Sequence, residues 1–81
     1  FEAFPIPFNS EVRICYDLKI PNRQTAKLDI FDLKGRIVFK RFLPAGTGEV
    51  LWEADDFPSG IYVVRLKCDE TQIAKKIILL R

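Results

Sequence analysis

Few residues in this chain could do chemistry, and histidine is not among them, because the sequence contains none. Without imidazole, the commonest metal ligand and the usual proton shuttle at neutral pH are both missing, which removes most hydrolase mechanisms. Ser10 and Ser59 qualify as nucleophiles by type, yet each sits beside turn residues with no basic partner adjacent in sequence, and Ser59 reads as a turn former. Glu53, Asp55 and Asp56 cluster near a strand end but lack the Asp-x-Asp-x-Asp-Gly spacing of a calcium loop, so they read as a solvated rim. Cys15 and Cys68 match neither a zinc spacing nor a Cys-x-x-Cys redox motif. They could form one disulfide, but Cys15 falls on the polar phase of its strand and Cys68 on the apolar phase of another, which favours two free thiols. Trp52, Tyr16 and Tyr62 could build a sugar-stacking platform, yet each lies on the apolar parity of its strand and is expected in the core. No catalytic residue, cofactor or metal is expected.

One charge arrangement stands apart. Lys75 and Lys76 precede the apolar run Ile77-Ile78-Leu79-Leu80 and then Arg81. Two readings stay open: the lysines guard a sticky edge strand against aggregation, or a receptor recognises an exposed terminal strand. Elsewhere thirteen basic and eleven acidic residues are spread along the chain for a net charge of +2, with no clustering of Lys and Arg, which argues against a nucleic-acid partner.

The elements that must position these residues alternate with a period of two. At 81 residues the chain is expected to form one domain, near the lower size limit for a single core. It has no charged-then-apolar leader and no apolar run near the roughly 20 residues that span a bilayer, so it reads as a piece of a longer protein. Residues 1–9 form a Pro-rich extended lead-in, anchored by Phe4 and Phe8, and residues 10–81 a single sandwich. Val12, Ile14, Tyr16 and Leu18 alternate with polar residues as a half-buried strand, and Ala26, Leu28 and Ile30 follow as a second. Asp32-Leu33-Lys34-Gly35 is a turn into a third strand, 36–43, which is apolar on both parities. Strands over 49–53, 60–67 and 73–80 complete the pattern, the fifth strand, opened by Ser59-Gly60, being the central one. Short strands at intervals of about ten residues predict an all-β fold, an immunoglobulin-like antiparallel β-sandwich of about seven short strands.

Three stretches, in order, carry a family resemblance. Phe4-Pro5-Ile6-Pro7-Phe8-Asn9 resembles a Tyr-Pro-Asn-Pro-Phe-Asn opening, with Ile6 where Asn is usual. The segment from Ile30 to Val38 resembles a Tyr-Asp-x-x-Gly-Arg-x-Val motif, with Phe31 in place of Tyr. Ser59-Gly60-Ile61-Tyr62 and Lys75-Lys76-Ile77-Ile78-Leu79 resemble a closing Ser-Gly-x-Tyr and terminal strand. The family is the C-terminal sorting domain of the type IX secretion system of Bacteroidetes-like bacteria, similar to the immunoglobulin-like domain of flagellar hook-capping proteins.

The resemblance implies a non-enzymatic sorting signal that directs an upstream cargo across the outer membrane to the cell surface or medium, by way of the periplasm of a Gram-negative bacterium. It implies the outer-membrane secretion machinery as partner, no nucleic acid, and cleavage by a sortase-like cysteine peptidase. Lys75, Lys76, Ile77, Ile78, Leu79, Leu80 and Arg81 become the expected recognition residues, and Pro7, Phe8, Asn9, Asp32, Gly35, Arg36, Gly60 and Tyr62 the structural ones. The alternatives are a spacer or interaction module of a secreted multidomain enzyme and, further off, a carbohydrate-binding module.

Overall fold

Alternating apolar positions give each strand one face to bury, and two sheets bury those faces against each other. The computed structural model describes residues 1–4, 7, 9–19, 25–68 and 71–80. Seven strands run in chain order: β1 (Glu2–Phe4), β2 (Glu11–Leu18), β3 (Thr25–Phe31), β4 (Ile37–Pro44), β5 (Gly46–Glu53), β6 (Gly60–Cys68) and β7 (Thr71–Leu79). They form a three-stranded sheet, β1-β2-β5, and a four-stranded sheet, β4-β3-β6-β7, in which every neighbouring pair is antiparallel. Compared with the constant-type immunoglobulin arrangement of four strands against three, the fourth strand here joins the other sheet.

The core lies between the sheets. Val12, Ile14, Val50 and Trp52 of the smaller sheet meet Ala26, Leu28, Ile30, Tyr62, Val64, Ile77 and Leu79 of the larger one, all buried. Trp52 and Tyr62 span the interface edge to face, their centroids 5.2 Å apart. The aromatics considered for a sugar platform are thus placed in or against the core, with half-buried Tyr16 lying over Gly48 of β5. A Cβ at Gly48 would sit 2.5 Å from the Tyr16 hydroxyl, so the close approach of ring and backbone requires glycine.

The expected strands are present, with three differences. The lead-in contributes a strand: Glu2–Phe4 pairs with Arg13–Cys15, before the first proline can interrupt it. Phe1 and Ala3, rather than Phe4, pack against the core; Phe4 faces outward and is 43% exposed. Phe8, the other expected anchor, lies outside the described residues. Second, β5 begins at Gly46, because Gly46–Gly48 continue the pairing with Tyr16–Leu18. Third, the mixed parity of β4 has a cause: the register shifts at Ile30/Phe31, so Ile30 faces Phe39 while Phe31 faces Ile37 and Val38 is the extra residue. Cys15 and Cys68 lie on strands of different sheets, both half-buried thiols outside any disulfide.

Candidate functional site

Two loops with motif residues meet at one end of the sandwich. In the β3–β4 turn, the Gly35 N–H donates to the Asp32 carbonyl at 3.1 Å, and Gly35 takes a φ of 83°, a conformation that favours glycine. Asp32 stitches the turn: its Oδ1 accepts from the backbone N–H groups of Lys34 and Arg36, both at 2.9 Å, and its Oδ2 accepts from Arg36 Nε at 2.8 Å. The Arg36 backbone N–H is the main reason that the Asp32 carboxyl is held below its ordinary value of 3.8; partial desolvation opposes the shift, and the Arg36 side chain and Lys34 N–H add to it.

The β5–β6 loop supplies the other side. Tyr62, near the start of β6, donates its hydroxyl to the Pro58 carbonyl at 2.6 Å while its ring stays in the core. This is the tyrosine corner of immunoglobulin-like sandwiches, here pinning the loop that enters β6. A groove of about 710 Å³ lies between the loops, its wall including Asp32, Leu33, Arg36, Pro58, Gly60 and Tyr62. The motif residues Asp32, Arg36, Gly60 and Tyr62, distant in sequence, are therefore neighbours in space. Gly35 shapes the same turn, whereas Pro7 and Asn9 are exposed in the lead-in and away from the groove lining.

The terminal strand reaches the same end, because Leu79 pairs with Gly60 and Ile78 with Ile61. β7 is an edge strand, paired with β6 on one side and with no described strand on the other. The expected recognition residues separate by direction. Ile77 and Leu79 are fully buried, Ile78 is half-buried, and Lys75, Lys76 and Leu80 are exposed; Arg81 lies outside the described residues. Lys75 pairs with Val64, whose side chain is in the core, and so points to the inner side at the open edge of the sandwich, where its Nζ stands 5.4 Å from the centroid of the Phe1 ring. Lys76 pairs with Val63 and points to the outer side. Inward-pointing charge on an edge strand is a device that blocks uncontrolled sheet extension.

Sequence reasoning missed one ionic group. Asp29, on the polar parity of β3, is fully buried on the outer face of its sheet, where Arg65 Nη2 donates to its Oδ2 at 2.8 Å and Lys27 Nζ stands 3.9 Å from its Oδ1. Arg65 in turn lies over the Phe31 ring, 4.7 Å from its centroid. The pairing of Asp29 with Arg65 across β3 and β6 was the available signal, but it requires the strand order.

Glu53, Asp55 and Asp56 are all exposed, and no group of three or more metal-ligating side chains occurs among the described residues. A seven-stranded immunoglobulin-like sandwich with an open terminal edge strand and a motif-lined groove is the class that fold and geometry define. The chain belongs to the secretion system C-terminal sorting domain family of type IX secretion, whose profile matches residues 2–80. No curated protein matches it in sequence.

Proposed function

We propose that this chain is a non-enzymatic sorting signal which carries an upstream cargo domain through the type IX machinery, across the outer membrane to the cell surface or medium. The machinery reads β7. The observation that carries this reading is that β7 lies on a sheet edge with Lys75 and Lys76 exposed. Lys75 and Lys76 oppose pairing of that edge with an uncharged or basic strand, so its backbone donors and acceptors take up only a partner strand that brings acidic groups to the two lysines. Leu80 adds an exposed apolar contact, while Ile77 and Leu79 hold the strand in place from beneath. Release of the cargo by a sortase-like cysteine peptidase would cut on the N-terminal side of the sandwich, leaving the folded module behind.

The test is a fluorescent reporter fused before Phe1 and expressed in a host with the type IX machinery. With Lys75→Glu and Lys76→Glu together, the reporter should remain in the periplasm, while the parent chain delivers it to the surface or medium. Equal export of the two fusions would reject the sorting role of β7 and favour a spacer module of the same fold.

A further inference from the structure

Charges that are scattered in the sequence are sorted in space by the strand registers. On the smaller sheet, Val12, Ile14, Val50 and Trp52 face the core, so Glu2, Glu11, Asp17, Glu49 and Glu53 face outward with a single cation, Arg13. Arg13 is itself paired with Glu49, Nε to Oε2, at 3.5 Å. The larger sheet is the converse. Lys27, Lys40, Arg65, Lys67 and Lys76 face outward with a single carboxylate, Asp29, which is wholly buried and bonded to Arg65.

These faces act separately. Sheets pack about 10 Å apart, and the charged tips extend outward on both sides, so the two layers of charge lie roughly 20 Å from each other. The Debye length at physiological salt is about 8 Å, so the acidic face does little to cancel the basic one. A net charge of +2 therefore understates what a partner meets on either side.

We propose that the outer face of the four-stranded sheet docks on the anionic phospholipid surface of a membrane. The cations sit on all four strands rather than converging on one pocket, which fits a plane of phosphates better than a single small anion. Lys40, Lys67 and Lys76 are exposed and make no ion pair among the described residues. Apolar groups stand among the cations: Phe42, 66% exposed, pairs with Lys27, and Ile37, 46% exposed, pairs with Phe31. An aromatic ring and long basic side chains on one sheet face are the groups that settle at headgroup depth. The acidic face is repelled by the same surface, so the domain lies one way up.

The 81-residue chain should co-sediment with phosphatidylcholine vesicles containing about 30% phosphatidylglycerol, but not with phosphatidylcholine alone. Raising salt from about 50 to about 500 mM should release it. Lys40→Gln with Lys67→Gln should weaken binding about 25-fold, at a factor of about five for each lysine near the surface. Glu11→Gln with Glu53→Gln, on the opposite face, should leave binding intact, and Phe42→Ser should weaken it. Unchanged Trp52 emission checks that each variant is folded. Absence of vesicle binding, equal binding to both lipids, or undiminished binding by the lysine variant would overturn the proposal. Salt-sensitive self-association without lipid would overturn it too, by assigning the basic face to the acidic face of a second copy. The experiment leaves Lys75 and Lys76 untouched and is independent of export.

Discussion

Tyr62 serves the core with its ring and the β5–β6 loop with its hydroxyl. Tyr62→Phe keeps the ring and loses the bond to Pro58, at an expected cost of about 1 kcal/mol. Tyr62→Ala empties the contact with Trp52 as well and should cost about 3–5 kcal/mol, both read from urea midpoints. Equal losses would place the whole effect in the hydroxyl. Asp32 gives the module a pH dependence. Its folded pKa lies below the ordinary 3.8, so its contribution is fully present above that value and is lost as pH falls through the lower folded value. Thermal melts from neutral pH down to about 2 should show this loss, and Asp32→Asn should remove the part that belongs to Asp32. Parity made the burial of Tyr62 legible in the sequence. The Pro58 acceptor was not legible, since it depends on how the loop closes, and the burial of Asp29 depends on a strand from the far half of the chain.

At the scale of elements, strand-forming residues between turn signals located most strands and the central place of β6. The short β1 was hidden because its three residues carry no alternation long enough to read. The β4 bulge appeared only as an apolar pattern on both parities. β7, the strand to which recognition is proposed to belong, is also part of the core. Ile77 and Leu79 are core residues, so removing 77–81 deletes two large buried side chains at about 2–5 kcal/mol each, out of a total of about 5–15 for a domain. That truncation should abolish or sharply weaken the cooperative melt followed by circular dichroism. Export lost by truncation would then report on folding as much as recognition. The Lys75→Glu, Lys76→Glu pair, at exposed positions, should keep the parent melting transition within the small effects usual for surface substitutions.

For the whole molecule, all-β character and a sandwich follow from periodicity, whereas the charge asymmetry does not. Each polar strand face reads simply as solvated; only the division of strands between sheets places the carboxylates of β1, β2 and β5 opposite the lysines of β3, β4, β6 and β7. The groove is equally a product of topology, joining loops that are far apart in sequence. With Trp52 only 2% exposed and Tyr62 at 3%, neither of these rings offers a face to a sugar. Titration with β-glucans or chitin oligomers should leave Trp52 fluorescence without a saturable change, and a micromolar response would revive the carbohydrate-binding reading.

The contact of Phe1 with Lys75 has a mechanical consequence. β1 is held by three residue pairs, whereas β7 is held by nine. Tension applied at Phe1 therefore peels β1 from β2 while the β6–β7 ladder remains intact, and single-molecule pulling should record a small early extension before the main rupture. As that first strand departs, its aromatic ring leaves the ammonium group of Lys75. A load at one end of the polypeptide thereby alters the surroundings of a charge on the last strand without unfolding the sandwich between them.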